Sequence, residues 1–155
     1  MNITALNVAN NILKRAFAED IDITPMKLQK IIFCTYKEYL KKTGLSLFEE
    51  DFEAWRYGPV LPSVYNEFKH RGANQIDDFA EINKRGIYRI VTEQGNEVFK
   101  GIVNRTWDTY KYYSGTDLSA FTHGENTAWQ KAISARHRYI LDADIRQEAD
   151  YIGVK

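Results

Sequence analysis

The sequence predicts a mainly α protein with a small β element, an α+β domain in which helices carry two or three short strands. Two long stretches near the N-terminus and one from Thr92 to Tyr110 place apolar residues at helical spacing. Only two short runs, Phe52–Tyr57 and Ile87–Val91, have the alternation or β-branched character of strands. Gly and Pro punctuate the boundaries instead of interrupting the periodic stretches. At 155 residues the chain is long enough for one hydrophobic core, and 1–155 reads as a single domain.

The first helix places Ala5, Val8, Ala9, Ile12, Leu13, Ala16 and Phe17 on one face, with Asn and Lys on the other, and ends at the acidic Glu19–Asp22 run. Thr24-Pro25 then supplies an N-cap and a first-turn proline. The second helix sets Leu28, Ile31, Ile32, Thr35, Tyr36, Tyr39 and Leu40 on one face and stops at Gly44. Lys27, Lys30, Lys37 and Lys41 fall largely off that stripe, so periodicity assigns them to a solvated face.

In the Phe52–Tyr57 strand, Trp55 and Tyr57 share one face and Phe52, Ala54 and Arg56 the other. Gly58-Pro59 follows as a rigid strand-to-helix corner, because both residues are restricted in backbone geometry. Pro62 opens a short helix that closes at His70-Arg71-Gly72. An acidic connection leads to the Ile87–Val91 strand, and Thr92 caps the helix carrying Val98, Phe99, Ile102, Val103, Trp107 and Tyr110. Leu118–Phe121 forms a short turn of helix. Thr122-His123-Gly124-Glu125 fits the S/T-x-x-E capping box before Trp129, Ala132 and Ile133, and an acidic helix follows from Asp142 to Tyr151.

Twenty-one basic and twenty-one acidic residues balance, which counts against nucleic acid as a partner, since phosphate neutralisation calls for a basic excess. No apolar run approaches the ~20 residues of a bilayer span, and the N-terminus lacks a signal-peptide pattern, so no membrane association and a cytoplasmic location are expected. Cys34 is the single cysteine and reads as a small core residue. His123-Gly124-Glu125 has the H-x-E spacing of zinc deaminases but lacks their cysteine pair. Gly-rich phosphate loops and a nucleophile elbow are missing from the sequence, and Glu49-Glu50 and Asp77-Asp78 read as solvated loop carboxylates. No catalytic residue, cofactor or metal is expected.

Several segments together carry a resemblance. They are Val8–Leu13, Thr24–Phe33 (beginning Thr24-Pro25-Met26-Lys27-Leu28-Gln29-Lys30), Phe52–Tyr65, and Leu118–Glu125 with Trp129. Their order and spacing resemble the Panacea (SocA-like antitoxin) domain family, which includes phage-associated GepA-like proteins. The resemblance implies an antitoxin of a bacterial or prophage toxin-antitoxin system. Its partner would be a cognate toxin, silenced by direct protein contact, and one mode in the family delivers the toxin to a protease such as a Clp-type machine. Trp55, Tyr57, Gly58, Pro59, Pro62 and Tyr65, with Arg56 among them, match the middle motif. Thr122, His123, Glu125 and Trp129 match the last one, where Ala128 stands in place of a common proline. These residues are expected to meet as a largely structural hub whose rim contacts the partner. Two rival readings are an enzyme or small-ligand binder using His123, Glu125 and Arg56, and a phage protein that inhibits a host defence factor.

Overall fold

The computed structural model describes residues 2–82 and 85–151. The mainly helical α+β reading is borne out. The helices are α1 (Ala5–Glu19), α2 (Pro25–Thr43), α3 (Pro62–Phe68), α4 (Glu97–Tyr110), α5 (Gly115–Thr122), α6 (Ala128–Ser134) and α7 (Asp142–Gln147), with a 3-10 turn at Lys69–Arg71. The strands form two antiparallel hairpins, β1 (Glu53–Trp55) with β2 (Gly58–Val60), and β3 (Glu81–Ile82) with β4 (Ile87–Tyr88).

Helix α2 is the axis of the molecule. Thr24 caps it by accepting from the Lys27 N–H at 3.3 Å, Pro25 occupies its first turn, and Gly44 ends it at φ 75°. Every residue from Lys27 to Lys37 is buried, because α1, α3, α4, α5, α7 and β2 pack around it. A helix enclosed on all sides has no solvated face. The surface assignment of the lysines is therefore corrected. Lys27, Lys30 and Lys37 are 6%, 1% and 1% exposed, and each directs its ammonium to an acceptor on another segment. Lys27 donates to the carbonyls of Asp22 and Lys111, and Lys41 reaches the Glu148 carbonyl.

Lys37 forms an ion pair with Glu148 at 2.9 Å, both side chains being almost completely buried. The other Glu148 oxygen accepts from the Ala128 N–H at 2.7 Å, and the Tyr151 hydroxyl also donates to this carboxylate. The Lys37 ammonium lies 3.7 Å from the centre of the Tyr151 ring. One buried pair thus joins α2 to the start of α6 and to the segment after α7.

The polar face of α1 is corrected in the same way. Asn10 and Asn11 are 1% and 0% exposed. Asn10 accepts from the Ala80 N–H at 2.8 Å and donates to the Ala80 and Arg89 carbonyls at 3.0 and 2.9 Å. Asn11 does the same for Val91, accepting at 2.7 Å and donating at 2.9 Å. Each amide stands in for a strand edge that the short β3–β4 hairpin cannot supply. Arg15 completes this corner through the Glu93 carboxylate at 2.7 Å, and its guanidinium holds that carboxyl below the usual range.

Three boundary expectations also change. β4 covers only Ile87–Tyr88, and α4 begins at Glu97, so Thr92 does not cap it. The acidic connection before β4 contains β3. Glu50 is partly buried and accepts the first N–H of α1, that of Ala5, at 2.7 Å. Cys34 is buried in the core, and burial pushes its thiol up to about 12, which leaves it protonated and inert. No helix among the described residues is long and apolar enough to cross a membrane.

Candidate functional site

The Gly58-Pro59 step lies within a hairpin and not at a strand-to-helix corner. Trp55 pairs with Gly58 across the two-residue turn Arg56-Tyr57, Ala54 pairs with Pro59, and Glu53 with Val60. Pro59 has no N–H to give a ladder. None is required of it, because Ala54 sends its own N–H to the other side, to the Arg138 carbonyl at 2.8 Å. The Ile140 N–H returns to the Phe52 carbonyl at 2.9 Å, so residues 138–140 flank β1 opposite β2. Pro62 does open α3, as the sequence predicts.

The hairpin's backbone is held by side chains from elsewhere in the molecule. The Trp129 indole donates to the Trp55 carbonyl at 2.6 Å. His123 Nε2 lies 2.8 Å from the Arg56 carbonyl and its Nδ1 lies 2.5 Å from the Ser119 carbonyl. A neutral imidazole carries one N–H, so both contacts are hydrogen bonds only in the doubly protonated ring. The Ser119 hydroxyl donates to the Tyr57 carbonyl at 2.6 Å, and Lys30 Nζ to the Pro59 carbonyl at 3.0 Å. Gln29 brackets Leu61, donating to its carbonyl at 3.0 Å and accepting from its N–H at 2.9 Å. Segments distant in sequence therefore catch the carbonyls of Trp55, Arg56, Tyr57, Pro59 and Leu61.

Packing closes the remaining space. The His123 and Trp129 rings are 3.9 Å apart at 49°, and Trp55 meets Tyr65 edge-on at 4.8 Å. The Trp55 indole donates to Glu53 at 3.0 Å, and this bond, followed by the Arg138 guanidinium, holds the Glu53 carboxyl below its ordinary range. Gly58 adopts φ 115°, a conformation reserved in practice for glycine.

Thr122 does not cap a helix from its N-terminal side. It is the last residue of α5, and its hydroxyl donates back to the Ser119 carbonyl at 2.7 Å. Thr127 is the N-cap of α6, and the capping box belongs to Ser114 and Asp117 at the start of α5. The correction has a simple cause: T-x-x-E and S-x-x-D both satisfy the pattern, but only Ser114 precedes a helix. Glu125 is exposed and makes no hydrogen bond among the described residues. His123, Glu125 and Arg56 thus do not assemble an acid–base group. Among the described residues no three His, Cys, Asp or Glu side chains gather as metal ligands.

What the caged hairpin presents outward is a pocket of about 430 Å³ between β1–β2, α3 and the first turns of α2. Trp55, Arg56, Tyr57 and Tyr65 line it together with Met26, Gln29, Lys30, Val60, Val64 and Lys69. Tyr57 is 55% exposed and Tyr65 43%, so both rings stand at the rim. Lys30 sits inside, and burial pushes its ammonium down to about 8. Sequence reasoning missed Met26, Gln29, Lys30, Lys69 and Ser119. A signal for two of them was present: long polar side chains interleaved with Leu28, Ile31 and Ile32 leave α2 no continuous polar stripe, the pattern of an enclosed helix.

Comparison with known proteins places the chain in a family. Residues 28–130 match the family described as antitoxin SocA-like, Panacea domain, a span that includes Lys30, the hairpin, His123 and Trp129. Antitoxin SocA of Caulobacter vibrioides (strain NA1000 / CB15N) is 32% identical over 131 residues, covering 83% of this chain and 69% of that protein. No solved structure matches. The chain belongs to the antitoxin SocA-like, Panacea domain family.

Proposed function

We propose that this protein is an antitoxin that silences a cognate toxin by direct protein–protein contact, with the pocket beside the β1–β2 hairpin as the contact surface. Membership of an antitoxin family supports the role, and one feature of the hairpin supports the place. Its backbone is pinned by five side chains while Arg56 and Tyr57 remain exposed on it and Tyr65 of α3 stands exposed beside it. Tyr and Arg on a preorganised support lose little entropy on binding and are the residue types that anchor interfaces. The same feature argues against chemistry, since the polar atoms of His123, Ser119 and Gln29 are occupied by backbone partners.

Co-expression with the product of the adjacent gene tests the role. The expected outcome is rescue of growth and a co-purifying complex; neither appearing would sink it. Neutralisation by handing the toxin to a Clp-type protease is the finer version of the proposal. It predicts a toxin half-life that shortens with this protein present and recovers in a protease-deficient strain. A pull-down that returns a host defence factor in place of the neighbouring gene product would transfer the contact to the phage-inhibitor reading.

A further inference from the structure

The segment between α6 and α7 that flanks β1 has one edge paired and one edge open. The Arg138 carbonyl and the Ile140 N–H turn towards β1, at 2.8 Å from the Ala54 N–H and 2.9 Å from the Phe52 carbonyl. Tyr139 thereby forms an antiparallel bridge with Glu53. Successive residues of an extended chain present their N–H and C=O to opposite edges, so Tyr139 turns both of its groups away from β1. Neither has a hydrogen-bond partner among the described residues, and neither has the His137 carbonyl or the Leu141 N–H. The His137 N–H, by contrast, is spent on the Ala132 carbonyl at 2.8 Å, and the Leu141 carbonyl accepts from Asp144 and Ile145. The open edge is uncovered: every residue from Ile133 to Tyr139 is exposed, and so is Leu141.

An unpaired edge is a template for another strand, and the residues along this one say which strand fits. They read Arg136-His137-Arg138-Tyr139-Ile140-Leu141-Asp142-Ala143-Asp144, basic before Tyr139 and acidic from Asp142 on. A second copy laid antiparallel about Tyr139 presents the opposite order. Arg136 then faces Asp142 of the other copy, and Arg138 lies diagonal to the same carboxylate, both within the reach of cross-strand pairs. Tyr139 faces Tyr139, and His137 faces Leu141. The free backbone groups match in this register too. Each Tyr139 N–H meets the other Tyr139 carbonyl, and each Leu141 N–H meets a His137 carbonyl. The two groups that the register leaves over, the His137 N–H and the Leu141 carbonyl, are the ones already spent within the chain. Arg136 makes no side-chain hydrogen bond or ion pair among the described residues. Asp142 accepts only from the neutral Tyr36 and Ser46 hydroxyls, at 2.8 and 3.0 Å, so both charges are open to a partner.

We propose that this edge joins two copies of the chain in a symmetric antiparallel dimer centred on Tyr139, extending the β2–β1 sheet from one copy into the other. Self-complementarity is what a two-fold interface requires, since the same patch serves on both sides. The proposal stands apart from the toxin-contact reading, which concerns the pocket beside the hairpin. The contact is short, so the dissociation constant is expected on the order of 10 μM at low salt, weakening as salt screens the Arg136–Asp142 pairs.

Sedimentation velocity of the full chain, from about 10-fold below that concentration to about 10-fold above it, is expected to pass from monomer to dimer. A monomer throughout overturns the proposal. Arg136→Asp and Asp142→Lys each set like charges opposite one another at both ends of the edge and should weaken self-association by about 10-fold or more. Mixed in equal amounts, the two variants face each other with opposite charges again, and the dimer should return as a heterodimer. Variants that dimerise like wild type, or a mixture that stays monomeric, overturn the register. Asp142→Lys also takes the acceptor from Tyr36, so circular dichroism checks its fold. Arg136 is exposed and sits in the left-handed region, which Asp tolerates. Should Asp142→Lys not fold, amide exchange of wild type and Arg136→Asp decides alone. The Tyr139 N–H of wild type should gain protection as concentration rises and that of Arg136→Asp should not, while Ile140 is protected in both. Exchange at Tyr139 that ignores concentration overturns the dimer. Protection that appears only when the adjacent gene's product is added does so as well, and gives the edge to a strand of that partner.

Discussion

A Cβ built on Gly58 would stand 2.5 Å from Thr122 Oγ1 and 2.8 Å from Lys30 Cε. The glycine therefore sits at a close approach of the hairpin, α2 and α5, and φ 115° adds a second reason for it. Gly58→Ala is expected to destabilise by about 3 kcal/mol through backbone strain and overpacking. Adding Thr122→Ala removes one of the two clashes, so the double variant should recover part of the loss. Urea denaturation of the four proteins in the cycle checks this; strictly additive losses would mean that Thr122 does not bear on Gly58.

The Lys37–Glu148 pair predicts a different asymmetry. Removing one partner leaves the other charge buried with its neighbours arranged for an ion pair. Lys37→Met or Glu148→Leu is expected to cost about 3–5 kcal/mol, whereas the double variant should cost much less. The Ala128 N–H loses its acceptor in either Glu148 variant, which keeps the double variant below wild type. The midpoint and slope of urea unfolding at neutral pH read the effect.

Burial of Lys30 has a pH signature. Its ammonium titrates near 8 in the fold against an ordinary 10.5. Between those values the unfolded chain binds a proton that the folded chain has released, so stability rises with pH through this window. Below pH 8 both states carry the proton, and the burial cost is fully present. Relative to Lys30→Met, wild type should gain roughly 1 kcal/mol between pH 7 and pH 9. Cys34, whose thiol is pushed the other way by burial, acts in both proteins and largely cancels in the difference. A pH-independent difference between the two proteins would place Lys30 in contact with water.

The two clamps on α1 are also separable from the core. Asn11→Ala leaves the Val91 N–H and carbonyl without partners, at an expected cost of about 1–3 kcal/mol. The damage should be local. Amide exchange is expected to accelerate around Val91 and the β3–β4 hairpin before it does so in α2.

These clamps show what the sequence makes legible and what it hides. The boundaries of α2 follow from Thr24, Pro25 and Gly44 because caps and stops are local chemistry. The fates of Asn10, Asn11, Lys30 and Lys37 are not local: their partners are 29 to 111 residues away. Hydrophobic periodicity scores each as polar and so places it in solvent, whereas a polar group can be buried where a distant partner takes its hydrogen bond. The hairpin was obscured for another reason. Its turn, Arg56-Tyr57, has no Asn-Gly or Asp-Gly, and the glycine falls one position later, beside a proline that suggests a corner. The motif residues could be picked out by resemblance; that they hold a backbone and leave only their rim exposed required the third dimension.

Hub and rim make opposite predictions. Trp129→Phe keeps most of the ring but removes the 2.6 Å bond to the Trp55 carbonyl, so it should lower stability by about 1–3 kcal/mol. Trp55→Ala loses its contact with Tyr65 and its bond to Glu53, and it is expected to destabilise as well as to weaken binding. Tyr57→Ala and Tyr65→Ala remove rings that are about half exposed, and Tyr57 has no hydrogen bond from its hydroxyl among the described residues. Tyr57→Ala should therefore keep the melting temperature within a degree or two while weakening the partner complex by about 1–4 kcal/mol, as an interface anchor does. Tyr65→Ala should do the same with a small stability loss from the Trp55 contact. Melting curves and calorimetric titrations with the co-purified partner decide the matter. Tyrosine variants that melt early and bind normally would make these rings part of the hub and move the contact surface elsewhere.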